Sequence, residues 1–189
     1  METTYNDVQE QKKQLRKRIS ALLKALPEAY RASASDRIQE KVLASQAYRD
    51  ASRVFLYLSM PTEPETGRII RDALSNGKAV YVPKCVSKTE MLAVRIRSTD
   101  ELAPGAYGIL EPITFTETIE PDALDLILVP CVSASTDGKR LGHGAGYYDR
   151  FLCQNADKTI CLCFGQALCA DIPTGETDVR MRYVISEIE

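Results

Sequence analysis

The sequence predicts an α/β fold: a single three-layer domain over residues 1–189, with a parallel or mixed sheet flanked by helices. Short apolar segments rich in strand-forming residues alternate along the chain with segments of helical periodicity, which is the order found in such sheets. The segment 125–129 is apolar after its first residue, as in a strand that is buried on both faces. A length of 189 residues fits one domain.

Apolar residues recur at intervals of three and four in the first part of the chain, and this spacing predicts helices. The first helix is expected over about 8–26, where Pro27 ends it. The second is expected over about 35–49, and the third over 66–75 with Gly77 as its C-cap.

Short runs of β-branched, aromatic and aliphatic residues predict the strands. These runs lie at 53–58, 79–82, 91–96, 125–129, 159–164 and 183–185. Pro83 is expected to close the second strand, and 98–121 to be irregular because of its prolines and glycines, Gly108 among them. Ligands bind at the carboxyl ends of parallel strands. The informative loops are therefore those after Leu58, Val82, Val129 and Phe164.

Composition and charge exclude several classes of function. The chain carries 24 Lys and Arg against 26 Asp and Glu, which argues against broad nucleic-acid binding because that binding needs a basic surplus. Its one histidine, His143, excludes multi-histidine zinc sites. The first residues show no apolar leader, and no apolar run approaches the roughly 18 residues of a membrane span. We therefore expect a cytoplasmic protein without nucleic-acid or membrane partners.

The cysteines are expected to be reduced and mostly buried. They lie in or beside apolar runs, and nothing in the sequence indicates the secretory context that a disulfide framework needs. The six are Cys85, Cys131, Cys153, Cys161, Cys163 and Cys169.

The segment 129–152 carries the densest functional signal. Glycines let backbone N–H groups turn inward around an anion, and the N-terminus of the following helix, expected to run to about residue 154, adds positive charge together with Lys139 and Arg140. The spacing matches neither a Walker A motif nor a dinucleotide fingerprint. The residues alone indicate an anion or nucleotide loop, with a flexible connector as the alternative. Its glycines are Gly138, Gly142, Gly144 and Gly146.

Other charged residues have two interpretations each. Asp149, where the loop becomes helix, either complements the helix dipole or coordinates Mg²⁺ beside phosphates, and Asp178 is a second loop carboxylate. Glu63 and Glu65 follow the first strand and either accept hydrogen bonds from a ring rich in N–H groups or face solvent. A basic cluster on the first helix either is solvated or contacts a phosphate. It comprises Lys12, Lys13, Arg16, Lys17 and Arg18.

Taken together, these segments resemble one known family. The most specific part is DGKRLGHGAGYYDRFL, which is similar to the pattern D-x-x-G-x-R-L-G-R-G-x-G-Y-Y-D-x-x-L of the 5-formyltetrahydrofolate cyclo-ligases, also called methenyltetrahydrofolate synthetases. Shorter motifs also occur in the same order as in the family. They are KKQLR, the FLSM-like strand end with E-x-E-T, Pro83-Lys84, G-I-x-E-P, F-x-x-Q and TDVRMRYVISE. The resemblance therefore extends over most of the chain.

The resemblance implies an enzyme that uses ATP and Mg²⁺ to convert 5-formyltetrahydrofolate to 5,10-methenyltetrahydrofolate, with ADP and phosphate released. The γ-phosphoryl group would move to the formyl oxygen, after which N10 closes the ring, so the protein mainly aligns two substrates and neutralises charge. A folate is the implied partner, and a monomer is the expected state. The alternatives are a non-catalytic folate- or nucleotide-binding module on the same fold, and a sugar-phosphate isomerase or CoA-transferase-like enzyme.

Site residues follow from the resemblance by position. ATP would contact Lys12, Arg16, Arg140, Leu141, Gly142, His143, Gly144, Ala145, Gly146, Tyr147 and Tyr148. The folate would contact Met60, Glu65, His143, Gly144, Ala145, Gly146 and Tyr147, with Glu65 on the pterin. Asp149 and Asp178 would hold Mg²⁺, and the catalytic residues would be Arg140, His143 and Tyr147, the last orienting the formyl group.

Among the positions that depart from the family pattern are His143 and Ala145. His143 stands where the family usually has Arg, which shortens the reach and removes a bidentate donor, and imidazole titrates near neutral pH. Ala145 stands where many members have Lys or Gly. These two departures are what keeps the non-catalytic alternative open.

Overall fold

The computed structural model describes residues 5–105, 109–114 and 117–188. Its helices are α1 (Tyr5–Ala25), α2 (Glu28–Ala44), α3 (Gln46–Asp50), α4 (Gly67–Ser75) and α5 (Tyr147–Leu152). Its strands are β1 (Arg53–Phe55), β2 (Ala79–Cys85), β3 (Met91–Ile96), β4 (Leu102–Pro104), β5 (Leu110–Pro112), β6 (Thr118–Ile119), β7 (Leu126–Pro130), β8 (Ser133–Ala134), β9 (Arg140–Leu141), β10 (Thr159–Leu162) and β11 (Tyr183–Ile185).

A mixed sheet of seven strands in the order β11-β10-β7-β1-β2-β3-β6 organises the fold. The five strands from β11 to β2 are parallel to one another, whereas β3 is antiparallel to both β2 and β6. Helices flank this sheet, with α4 packed on β2 and α2 on β11 and α4. The predicted α/β class with a parallel or mixed sheet is confirmed.

The core includes two strands of the sheet over their whole length. Every residue of β7 and β10 is buried, which agrees with the apolar runs that predicted them. Against β1, the ring of Phe55 stacks on the ring of Phe151 from α5, with 4.7 Å between ring centroids. This contact holds α5, and with it the end of the glycine-rich segment, against the sheet.

Several predicted boundaries shift. The helix expected over about 35–49 begins at Glu28 and is divided in two, because Ser45 ends α2 and its hydroxyl accepts the N–H of Tyr48 at 3.2 Å to begin α3. The strand expected to close at Pro83 continues to Cys85. Beyond Tyr81, β2 pairs with β3 alone, and a proline is tolerated beside an open edge.

Smaller differences concern where elements end. β1 ends at Phe55 although the buried chain continues to Leu58, and the helix expected to reach about residue 154 ends at Leu152. The segment 98–121 contains short strands β4, β5 and β6 between its irregular parts, and Gly108 lies outside the described residues.

All six cysteines are free, as predicted. The expectation that most are buried is wrong, because only Cys131, Cys161 and Cys163 are buried while Cys85 and Cys153 are exposed. In the part of the chain that the structure describes, no helix has the length and apolar character needed to cross a membrane.

The contact between Phe151 and Phe55 predicts a large effect on stability. Phe151→Ala removes a ring that is 9% exposed and stacked on a fully buried one, so we expect the free energy of unfolding in urea to fall by about 3–5 kcal/mol. Ile113→Ala is the control, since Ile113 is 60% exposed and should change that free energy by less than about 0.5 kcal/mol. Equal effects of the two substitutions would contradict this role of the ring pair.

Candidate active site

The glycine-rich segment begins at the carboxyl end of β7 with a small hairpin. β8 and β9 pair with Ser133 opposite Leu141 and Ala134 opposite Arg140. The hydroxyl of Ser135 accepts the N–H of Lys139 at 3.2 Å inside the turn, and the hairpin returns the chain toward the sheet. It thereby directs the side chain of Arg140 inward.

Arg140 is the most deeply buried cation of the site, with a side chain only 4% exposed. Its guanidinium donates to Pro130 O at 3.2 Å and to both carboxylate oxygens of Asp149 at 3.1 Å. The group also lies over the ring of Tyr148, 5.6 Å from the ring centroid. Nε of Arg140 is buried without a hydrogen-bond partner, so the guanidinium has a donor left for a further acceptor.

The two predicted metal-binding carboxylates lie in the same neighbourhood. Oδ1 of Asp149 accepts the N–H of Val179 at 3.4 Å, and Val179 follows Asp178 in the chain. Asp178 accepts Nζ of Lys12 at 2.6 Å and the N–H of Gly175 at 2.6 Å. The structure therefore brings together two acids that are 29 positions apart in the sequence.

The basic residues of α1 fall into two groups, one that contacts the site and one that is exposed to solvent. Lys12 is buried against Asp178, and Nε of Arg16 donates to Gly142 O at 2.8 Å. Burial lowers the pKa of Arg16, while the nearby carboxylate of Asp178 opposes that shift. Lys12 and Arg16 are four residues apart and so share one face of the helix, whereas Lys13, Lys17 and Arg18 are exposed.

A cavity of about 170 Å³ adjoins these groups. Three cationic side chains and one acid line it, together with backbone of the loop that carries Asp178. The lining residues are Lys139, Arg140, Thr174, Gly175, Asp178, Val179 and Arg180. Lys139 was predicted only as a charge of the anion loop, whereas the other lining residues were absent from the predicted set, and their sequence signal is only their proximity to Asp178. These are Thr174, Gly175, Val179 and Arg180.

The other end of the loop is held by α5. The hydroxyl of Tyr147 donates to Ser87 O at 2.8 Å in the turn between β2 and β3. Arg150 donates to Thr89 O at 2.7 Å in the same turn and to Ala145 O at 2.8 Å in the loop. Sequence reasoning missed Arg150, although it directly follows Asp149 in the glycine-rich motif.

The loop after β1 carries the two glutamates considered from the sequence, and the structure gives them different surroundings. Met60 is half-buried there, but Glu65 is exposed and its backbone N–H donates to the hydroxyl of Ser35 at 3.1 Å. Glu63 is buried instead, and its Oε1 lies 2.9 Å from Nε2 of His143. Sequence reasoning considered Glu63 beside Glu65 but selected only Glu65 for the folate site.

The resemblance implies Mg²⁺, so the side chains of the site can be compared with those that usually bind this cation. Within residues 5–105, 109–114 and 117–188, no cluster of three or more His, Cys, Asp or Glu side chains forms a metal cage. Mg²⁺, however, is usually held by one or two carboxylates together with phosphate oxygens and water. Asp149 and Asp178 supply two carboxylates beside cations that suit phosphates, so the residues present fit Mg²⁺ that arrives with a nucleotide.

Comparisons with known proteins identify related sequences over nearly the whole chain. A family model described as the 5-formyltetrahydrofolate cyclo-ligase family matches residues 8–187. The 5-formyltetrahydrofolate cyclo-ligase of Mus musculus is 32% identical, with 93% of each chain covered. That of Saccharomyces cerevisiae is 30% identical, with 92% of this chain and 94% of the relative covered.

Solved structures show the same fold. The 5,10-methenyltetrahydrofolate synthetase of Aquifex aeolicus matches with a TM-score of 0.84 at 26% identity, covering 94% of this chain and 90% of that one. The 5,10-methenyltetrahydrofolate synthetase of Mycoplasma pneumoniae matches with a TM-score of 0.75 at 24% identity, covering 93% of this chain and 98% of that one; at this identity the match supports the fold alone.

The turn between β8 and β9, which precedes Arg140, is expected to require glycine at position 138. Gly138 has φ +92°, and a Cβ there would lie 2.3 Å from Met181 O. Gly77 has a similar φ of +73° but nothing within 4 Å of such a Cβ. We expect Gly77→Ala to lower the free energy of unfolding by about 1 kcal/mol and Gly138→Ala by about 3 kcal/mol, since only the latter adds a backbone clash. Equal losses in urea unfolding would show that the clash is relieved.

Proposed function

The chain belongs to the 5-formyltetrahydrofolate cyclo-ligase family and is a cyclo-ligase of that family, and we propose that it uses ATP and Mg²⁺ to convert 5-formyltetrahydrofolate to 5,10-methenyltetrahydrofolate. The products are ADP and phosphate. We further propose that it does so as a cytoplasmic monomer that acts on free folate, without nucleic-acid or membrane partners.

One observation supports the nucleotide part of this proposal above the others. Lys12, Arg16 and Arg140 lie around the glycine-rich loop beside the carboxylates of Asp149 and Asp178. Cations and backbone N–H groups suit the phosphates of ATP, while two acids close to those phosphates suit a divalent cation. A loop that served only as a connector would have no reason to hold the buried cations Lys12 and Arg140 against carboxylates.

In the proposed reaction, the formyl oxygen of the folate attacks the γ-phosphorus of ATP and ADP leaves. N10 of the folate then attacks the activated formyl carbon, phosphate departs with the former formyl oxygen, and the N10 proton is released. The chain's part is to hold both substrates in line and to stabilise the transferring phosphoryl group. We assign the stabilisation to Arg140 and His143 and the orientation of the formyl group to Tyr147.

The other predicted residues would bind the nucleotide, the folate or Mg²⁺. Lys12 and Arg16, with the loop residues Leu141 to Tyr148, would bind the nucleotide. Met60 and Glu65 would line the folate site. The carboxylate of Glu65 is exposed and makes no side-chain contact with the described residues, so it can accept hydrogen bonds from the N–H groups of the pterin. Asp149 and Asp178 would hold Mg²⁺, which when bound neutralises charge on the phosphates of ATP.

The activity itself is tested by following 5,10-methenyltetrahydrofolate, which absorbs in the near ultraviolet. We expect product only when the purified chain is supplied with 5-formyltetrahydrofolate, ATP and Mg²⁺ together, with one ADP formed per product. Folate binding without any product between about pH 5.5 and 8, a range that spans the titration of imidazole, would instead support a non-catalytic binding module.

The metal role of Asp149 predicts a loss of the Mg²⁺-dependent step. Asp149→Asn keeps a hydrogen-bond acceptor for Arg140 but removes a charge, so we expect kcat to fall by about 100-fold or more while thermal unfolding stays cooperative. The control is Asp157→Asn, since Asp157 is exposed and lies outside the site. Full activity of the Asp149 variant, with an unchanged dependence on Mg²⁺ concentration, would refute the assignment.

A further inference from the structure

The short helix α5 is held by contacts of three successive residues, each with a different part of the molecule. Asp149 pairs with the buried guanidinium of β9, and the ring of Phe151 stacks on a ring of β1. Arg150, between them, reaches the turn between β2 and β3, where its Nε donates to Thr89 O at 2.7 Å. The proposed reaction uses Asp149 and the core uses Phe151, so the contact made by Arg150 needs an explanation of its own.

The guanidinium of Arg150 also contacts the glycine-rich loop. Nη2 donates to Ala145 O at 2.8 Å, so one side chain links this loop to the β2–β3 turn. The same group lies over the ring of Tyr147, 5.4 Å from the ring centroid, and a cation is attracted to the face of such a ring. Arg150 therefore contacts the loop, the turn and the tyrosine to which the orientation of the formyl group is assigned.

The glycine before α5 leaves the space that this guanidinium occupies. Gly146 lies between Ala145 and Tyr147 in the chain, and a Cβ there would lie 2.7 Å from Nη1 of Arg150. A side chain at this position would displace the guanidinium from its partners. The motif Y-Y-D-x-x-L leaves position 150 open, so the family resemblance does not by itself assign a role to Arg150.

The β2–β3 turn has a defined shape because its own side chains close it. The hydroxyl of Ser87 accepts the N–H of Thr89 at 3.2 Å and the N–H of Glu90 at 3.0 Å. The N–H of Val86 donates to Glu90 O at 3.1 Å across the same turn. These bonds hold the peptide groups whose oxygens, Ser87 O and Thr89 O, accept hydrogen bonds from α5.

The hydroxyl of Tyr147 makes the second contact between α5 and this turn. It donates to Ser87 O at 2.8 Å. It also lies beside the end of β2, because burial raises the pKa of the Cys85 thiol while a hydrogen bond with Tyr147 opposes that shift. A tyrosine whose ring and hydroxyl are both held has little freedom to rotate, which suits a group that orients a substrate.

We propose that Arg150 is a positioning residue: by tying Ala145 and Tyr147 to the β2–β3 turn, it holds the end of the glycine-rich loop in the geometry that the two substrates need in order to react. The inference rests on the proposed function, which includes the orienting role of Tyr147. Arg150 acts through these groups, since its donors are directed at backbone carbonyls of the protein. A planar guanidinium suits this place because it donates in two fixed directions, whereas a lysine is a single point charge.

The first test replaces Arg150. Arg150→Met keeps the length of the side chain but removes its charge and donors, so we expect kcat to fall by about 10-fold, as for a misplaced reactant. The KM of each substrate should change by less than about threefold. Arg150→Lys keeps a cation without the fork and should give an intermediate kcat. An unchanged kcat in Arg150→Met, a parental kcat in Arg150→Lys, or a loss confined to the KM of one substrate would overturn the proposal.

Arg182→Met is the matched control, because Arg182 makes the same kinds of contact elsewhere. Its guanidinium donates to Asp157 O at 2.9 Å and lies over the ring of Tyr183, 5.1 Å from the ring centroid. These partners lie where β10 and β11 begin, whereas the glycine-rich segment follows the carboxyl end of β7. We expect Arg182→Met to keep the parental kcat. A loss as large as that of Arg150→Met would overturn the proposal, because any exposed arginine would then have the same effect.

The second test loosens the turn without altering Arg150. Ser87→Ala removes the hydroxyl that closes the turn, and we expect kcat to fall, though by less than in Arg150→Met. In the double variant the combined loss should be smaller than the product of the two single losses, because both changes weaken the same contact. Ser98→Ala is the control and should keep the parental kcat, since the hydroxyl of Ser98 accepts the N–H of Asp100 at 3.1 Å beyond the other end of β3. A parental kcat in Ser87→Ala, or losses that multiply fully, would overturn the proposal.

Hydrogen exchange separates this inference from the proposed function, because it reports on both segments whether or not the chain turns over substrate. In Arg150→Met we expect faster exchange of the backbone amides at 144–148 and 86–90, with the protection of β7 and β10 unchanged. If the parent chain forms no product while this variant loosens both segments, the proposed function fails and the contact stands. Equal exchange in the parent chain and in Arg150→Met would overturn the positioning role.

Discussion

The ion pair between the buried Arg140 and the half-buried Asp149 is the constraint on which the rest of the site depends. An unpaired charge in a protein interior is strongly unfavourable, so a guanidinium with a 4% exposed side chain needs its carboxylate and the carbonyl of Pro130. The pair joins β9 to α5 across the glycine-rich loop and ties both to the end of β7. The loop can contain several glycines without losing its shape because its two ends are joined in this way.

The other charged side chains of the site also lie beside groups of opposite charge. Lys12 is buried against Asp178, and Arg16 lies close enough to Asp149, Asp178 and Arg140 for all three to affect its pKa. The near balance of charge over the whole chain therefore has a local counterpart at the site, where cations and acids are already in place and neutralise one another. The proposed nucleotide with its Mg²⁺ would bring its own anions and cation to such a site, so its binding would exchange partners rather than bury new unpaired charge.

The departure at His143 is accommodated by one acid on the opposite loop. An arginine in this position would bring a longer, permanently charged side chain with a bidentate fork. The shorter imidazole is held instead by Glu63, whose other oxygen closes its own turn. Lys139, by contrast, pairs with the exposed Asp171 at the outer side of the cavity. The loop thus presents at this position an imidazole that is paired with a buried carboxylate.

The amino-acid sequence by itself determined the elements that depend on local pattern and short motifs: the buried strands β7 and β10, the mixed α/β class, the glycine-rich loop and the family resemblance. It also placed Lys12, Arg140 and Asp178 among the site residues, because those positions match a motif. Only the tertiary structure decided that Lys12 and not Lys13 meets Asp178, and that Glu63 and not Glu65 is buried and meets His143. Neighbouring residues of one type look alike in a sequence, whereas the direction in which a helix face or a turn points is decided by packing between segments far apart in the chain.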